Sequence, residues 1–147
     1  MQGVTVSKLI SKMKLKNATP EQDTDKTVLT HPEVNRPALQ LAGFFDHFDH
    51  ERVQVVGTVE RAYVSTLSYE RKMEVFERLI SSKIPCLVYC RGITPDEDIL
   101  NLASHYDVPI LISEQPTSDF MAETIRWLKV QMAPCISIHG VLVDVFG

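Results

Sequence analysis

The chain has 147 residues, of which 44% are hydrophobic and 23% charged, with a net charge of −4. This is globular composition, long enough to bury one core without disulfide or metal staples, and it sets aside intrinsic disorder. The acidic balance argues against nucleic acid as a main partner, because phosphate neutralisation needs Lys and Arg gathered on one face.

The one basic cluster, Lys8, Lys12, Lys14 and Lys16, is short and reads as a solvated helix face. No window approaches the ~18 apolar residues of a membrane span, and the opening MQGVTVSKLISK has no signal-peptide core. A cytoplasmic protein with no membrane association is therefore expected. The three cysteines, Cys86, Cys90 and Cys135, sit in apolar runs and read as buried, reduced thiols.

In chain order, Val6, Leu9, Ile10 and Met13 recur at helical spacing, with Thr5 placed to cap that helix. Residues 14–26 are polar, carry Pro20 and read as a surface loop, and 27–30 (TVLT) as a short strand. Asn35 or Arg36 begins a turn. Pro37 then suits a first helical position and Gly43 a helix end, which predicts about two turns of helix. Residues 53–57 (VQVVG) form a strand. A helix follows over 67–81, with Tyr69, Met73, Phe76 and Ile80 on its inner face.

The apolar run 84–90 (IPCLVYC) predicts a strand covered on both faces. Thr94, Pro95 and Glu97 look like a helix start with a capping box, followed by the buried strand 108–112 (VPILI). Thr117, Ser118 and Asp119 open a longer helix that buries Phe120, Met121, Ile125, Leu128 and Met132. Residues 135–138 and 141–146 read as two final strands. The alternation of strand and helix predicts one α/β domain over 1–147: a mostly parallel sheet with right-handed crossovers and helices on both faces. Because the chain stops in the apolar strand VLVDVFG, it is expected to continue past Gly147.

Candidate chemistry is sparse. The cluster Asp46, His47, Asp49, His50 and Glu51 has metal-ligating residue types, but it lies in a loop and reads as a hydrated turn, with no metal expected. Cys86 and Cys90 would stand about 13 Å apart on a strand, too far to share a metal. Arg91 and Gly92 follow a strand and precede a helix, where an anion would gather, but one glycine is no phosphate-binding fingerprint. His139, at a kink between two strands, reads by itself as an exposed turn histidine. The histidine side chain also titrates near neutrality, as acid–base catalysis requires.

Three stretches together go beyond pattern: 35–45 (NRPALQLAGFF), 52–57 (RVQVVG) and 137–147 (SIHGVLVDVFG). They resemble the amino-terminal domain of bacterial HPr kinase/phosphorylase, and the resemblance runs over essentially the whole chain. It implies a fold like the substrate-nucleotide-binding domain of Mur ligases. It also implies a carboxyl-terminal half, absent here, whose Walker A loop holds nucleotide phosphates. The family phosphorylates a serine of HPr, the phosphocarrier of the sugar phosphotransferase system. It removes that phosphate with inorganic phosphate, releasing pyrophosphate.

Members are typically homo-oligomers, hexamers built through the catalytic halves. ATP and Mg would belong to that parent protein, and no cofactor is expected in this chain. His139 matches the histidine of the family's HGV motif and is the one catalytic candidate the resemblance supplies. The alternative is a stand-alone regulatory module that binds a small anionic ligand, such as a nucleotide or a sugar phosphate. A weaker option is a protein-interaction domain that docks other subunits through the terminal strand.

Overall fold

Two short strands and a helix open the fold in the computed structural model, which describes residues 3–133. They are β1 (Val4–Thr5), α1 (Val6–Met13) and β2 (Lys16–Asn17). There follow β3 (Val28–Leu29), β4 (Val34–Asn35), α2 (Ala38–Leu41), β5 (Val53–Val56), α3 (Thr58–Val64) and α4 (Tyr69–Ile80). The series ends with β6 (Leu87–Tyr89), α5 (Glu97–His105), β7 (Ile110–Ile112) and α6 (Thr117–Gln131).

The main sheet has five strands in the order β2-β7-β6-β5-β4. The β4/β5, β5/β6 and β6/β7 pairs are parallel, whereas β2 runs antiparallel along β7. β1 and β3 form a separate antiparallel ribbon. The expected α/β class holds, and the sheet is a mixed one. The difference comes from residues 14–26, expected as a surface loop. Part of this segment covers the β7 edge: Ala18 N–H donates to the Ile110 carbonyl at 2.9 Å, and the Ile110 N–H donates to Thr19 Oγ1 at 3.0 Å. The edge strand's open backbone groups are thereby satisfied by a stretch whose polarity hid it.

Successive side chains of a strand point to opposite faces, and the two cores follow from that alternation. Val53, Val55, Cys86, Val88, Cys90 and Leu111 face one layer, filled by Leu9 of α1 and by Phe120 and Leu128 of α6. Val56, Leu87, Tyr89 and Ile110 face the other, filled by Phe76, Leu79 and Ile80 of α4 and by Ile99 of α5. Each fully buried side chain of this kind contributes about 1.5–3 kcal/mol.

Local signals held in several places. Thr5 caps α1 by accepting from the Lys8 N–H at 3.2 Å. Gly43 takes φ +100° just beyond α2, a left-handed conformation that favours glycine. Other expectations need correction. α5 starts at Glu97, so Thr94 caps nothing; Asp96 is the N-cap residue but makes no side-chain cap bond. Its carboxylate instead meets Lys72 Nζ at 2.7 Å. Tyr69 was expected to face inward, yet it is 56% exposed, and the buried stripe of α4 is Val75, Phe76, Leu79 and Ile80. α3 went unpredicted because Glu60 is the one inward residue it buries. Asn35, expected in a turn, lies in β4.

Candidate functional site

Val56 ends β5 and Tyr89 ends β6, so both strands deliver their last side chains to one place. A cleft of about 410 Å³ opens there, walled by α3, the start of α4 and the segment leading into α5. Carboxyl ends of parallel strands are where α/β sheets gather ligands, and this volume suits a small molecule. The walls are mainly apolar, with Val56, Phe76, Ile93 and Ile99 among them.

The polar groups of the cleft are few and distinct. Lys72, with 17% of its side chain exposed, pairs with Asp96 at 2.7 Å, and its ammonium lies 5.7 Å from the Tyr69 ring centroid. Arg61 lines the cleft from α3, exposed and without an ion pair among the described residues. Tyr89 is 5% exposed, and its hydroxyl makes no hydrogen bond among the described residues. Burial, and secondarily the Asp96 carboxylate, push the Tyr89 hydroxyl above its usual pKa, with Arg61 pulling partly the other way. At neutral pH Tyr89 is thus a hydrogen-bond donor held at the edge of a cavity.

A second polar cluster is structural. Asn35 Nδ2 donates to Gln54 Oε1 at 2.7 Å and to Gln40 Oε1 at 3.2 Å, and Gln54 Nε2 donates to the Arg52 carbonyl at 2.8 Å. Gln54 is fully buried, so these bonds are what make an amide tolerable there. Arg36 Nη2 donates to Glu60 Oε1 at 2.8 Å, and the same oxygen accepts from the Gly57 N–H at 2.7 Å. Glycine has no side chain, so this is only the acidic half of a capping box. The NRPALQLAGFF segment, singled out for its resemblance, therefore ties β4 and α2 to β5 and α3.

The turn at Arg91 and Gly92 is not a phosphate cradle. Its residues adopt φ of 59° and 66°. The Arg91 N–H donates to the Gln115 carbonyl at 2.9 Å and the Gly92 N–H to the Ser113 carbonyl at 2.8 Å. The Glu114 carboxylate also sits over the turn: a Cβ on Gly92 would lie 2.7 Å from Glu114 Oε1. Amides already bonded, beneath a carboxylate, repel an anion.

Asp49 and His50 of the 46–51 cluster are drawn into local contacts. Asp49 Oδ2 lies 3.0 Å from His31 Nε2 and 3.5 Å from Arg52 Nε, and His50 Nδ1 lies 3.3 Å from the Lys83 carbonyl. Among the described residues no three His, Cys, Asp or Glu side chains are placed to hold a metal ion. Cys86 and Cys90 are buried free thiols. Burial pushes Cys86 up to about 12 and Cys90 up to about 11, so neither is a ready nucleophile. Lys8, Lys12, Lys14 and Lys16 are all exposed. No helix of the described residues is long and apolar enough to cross a membrane. His139 and Cys135 lie outside the described residues.

The cleft eluded sequence reasoning because its members come from β5, α3, α4, β6 and the α5 entry, scattered over residues 56–99. One signal was available: the strand run IPCLVYC carries a tyrosine, Tyr89, beside its end, whose polar tip requires either a partner or an opening.

Comparison with known proteins places the whole arrangement. Residues 4–128 match the family described as HPr Serine kinase N terminus. The chain is 53% identical over 147 residues to HPr kinase/phosphorylase of Lachnoclostridium phytofermentans, covering 100% of this chain and 48% of that protein. It is 37% identical over 147 residues to the protein of that name from Alkaliphilus metalliredigens, covering 100% and 47%. With the Streptococcus thermophilus protein of that name it shares 33% over 144 residues, covering 98% and 47%. The chain thus spans about half the length of these curated relatives.

Among solved structures, the CBS and DRTGG domains of the regulatory region of Clostridium perfringens pyrophosphatase, complexed with diadenosine tetraphosphate, superpose with a TM-score of 0.62 at 13% identity. That match covers 97% of this chain and 57% of the other, and is a likeness of fold.

Proposed function

Because the chain belongs to the HPr serine kinase N-terminus family, we propose that residues 1–147 form the amino-terminal module of a bifunctional ATP-dependent kinase/phosphorylase acting on a serine of HPr, the phosphocarrier of the sugar phosphotransferase system. The observation that carries this reading is 53% identity across all 147 residues to a protein of that name. The parent is a cytoplasmic homo-oligomer, a hexamer built through its other half. The module's kinship with the substrate-nucleotide-binding domain of Mur ligases belongs to the same proposal.

The residues present do not fit the phosphates of ATP. The sequence contains no G-x-x-x-x-G-K-[ST], and the Arg91 turn directs its amides at backbone carbonyls. Phosphoryl transfer consists largely of positioning and charge stabilisation. A module without those groups is inactive alone, and ATP and Mg are held by the other half of the parent, with His139 at the junction. The test is HPr phosphorylation followed by mass shift, with ATP and Mg. The full-length gene product is expected to add one phosphate and the 147-residue chain none. Phosphorylation by the short chain would refute its inactivity, and none by the full-length protein would refute the kinase reading.

A second reading, a regulatory module for a small anionic ligand, is favoured by the cleft with Arg61 in its wall. A thermal-shift screen of nucleotides and sugar phosphates tests it. A flat response across both classes rejects it.

A further inference from the structure

We infer that the cleft at the carboxyl ends of β5 and β6 binds a nucleoside monophosphate, with the phosphate on Arg61 and the planar base against the apolar walls. This rests on the regulatory-module reading and narrows its ligand class.

Three observations converge. The first is the charge balance. The charged side chains lining the cleft are Arg61, Lys72 and Asp96. Lys72 and Asp96 neutralise each other at 2.7 Å. Arg61 has no acidic partner among the described residues. One guanidinium remains, and its planar fork suits a phosphate monoester. The acidic first turn of α5, Glu97 and Asp98, cancels the attraction that helix end would otherwise offer an anion. The phosphate is therefore placed at Arg61 and away from α5.

The second observation is Tyr89. The residue is buried, with 5% exposure, yet its hydroxyl lacks a partner among the described residues and borders the cleft. The hydroxyl is not sealed from water, and it stands ready to donate to a ligand acceptor in the cleft. Arg61 and Asp96 both act electrostatically on this hydroxyl.

The third observation separates two classes of anionic ligand. A sugar phosphate presents hydroxyls all round its ring and needs polar walls. Here Val56, Phe76, Ile93 and Ile99 are hydrocarbon or aromatic. Of the two aliphatic hydroxyls in the wall, Ser65 already donates to the Ala62 carbonyl at 2.6 Å, which leaves Thr94 beside the phenols of Tyr69 and Tyr89. A heterocyclic base has apolar faces and a polar edge. Its faces fit these walls, and its amino and ring nitrogens find the Asp96 carboxylate and the Tyr89 hydroxyl.

The test is calorimetric titration of the 147-residue chain with AMP, CMP, adenosine, ribose 5-phosphate and inorganic phosphate. At least one nucleoside monophosphate is expected to bind about tenfold or more tighter than adenosine, ribose 5-phosphate or phosphate. Arg61→Ala should weaken it by about tenfold. Tyr89→Phe should weaken it severalfold while leaving the melting temperature of the free chain unchanged or raised, because the deleted hydroxyl has no partner to lose.

Three results would overturn the site: no heat with either nucleotide up to about 5 mM, unchanged nucleotide affinity in Arg61→Ala, or ribose 5-phosphate binding as well as the nucleotides. The last would leave the regulatory-module reading standing and reject only the ligand class. Silence from every anion would reject both.

Discussion

Replacing Arg36 with alanine isolates the ion pair that joins the β4 end to α3. Glu60 has 2% of its side chain exposed, and one oxygen accepts from both Arg36 Nη2 at 2.8 Å and the Gly57 N–H at 2.7 Å. Removing the guanidinium leaves a buried carboxylate with one backbone donor. Breaking a fully buried pair in this way costs about 3–5 kcal/mol. Arg36 is 33% exposed, so water already screens one side and can partly replace it. The expected loss is about 2–3 kcal/mol, or a fall in Tm of about 5–10 °C for a chain of this size.

Glu60→Gln keeps an acceptor for the Gly57 N–H and removes the charge. In the double variant the uncompensated anion is gone, so the loss should be smaller than the sum of the singles by at least about 1 kcal/mol. Urea unfolding followed by circular dichroism at neutral pH measures all three, with a constant slope confirming comparable end states. A loss below about 0.5 kcal/mol for Arg36→Ala, or strict additivity, would show that the pair is a solvated surface contact and refute the reasoning.

Other outcomes follow from the same geometry. Gly57→Ala should destabilise the chain by about 1–3 kcal/mol, because its Cβ would collide with Thr117 Oγ1. Thr117→Ala in the same chain should return part of that loss in thermal melts, and no recovery would place the strain elsewhere. Cys86 and Cys90 should resist iodoacetamide at pH 8 in the native chain and react in urea, as read by mass-spectrometric mapping; ready native alkylation would contradict their burial.

Burial makes both thiols titrate higher when folded than an ordinary cysteine does. Above pH 9 the unfolded chain loses these protons first, so stability should decline from about pH 9 towards 11–12 in alkaline melts. Replacing both cysteines with alanine should flatten that decline. Thr5→Ala removes the acceptor for the Lys8 N–H and should cost about 1 kcal/mol, measured by urea unfolding.

Legibility followed the range of the interaction. The α1 cap was readable because Thr5 and Lys8 are three residues apart, and the start of α6 because Thr117, Ser118 and Asp119 are contiguous. The capping box read at Thr94 and Glu97 failed for a long-range reason: Asp96 bonds Lys72, 24 residues away, and the helix starts later. The Lys16–Asn17 strand was missed because its role is to cover an edge formed by residues 110–112, which no local polarity reveals. α3 was missed because a short helix that buries only Glu60 has almost no apolar period to detect.

The sequence alone determined the α/β class, the three central strands and the family, because apolar runs, helix starts and the NRPALQLAGFF segment are local or contiguous signals. Tertiary structure alone decided that Asn35, Gln40 and Gln54 share one buried network. It also removed the anion-binding capacity of the Arg91 turn and brought Arg61, Lys72, Tyr89 and Asp96 to one cleft. The physical reason is that hydrophobic periodicity reports which face of an element is covered, whereas convergence of polar groups depends on strand order and on where each crossover helix begins.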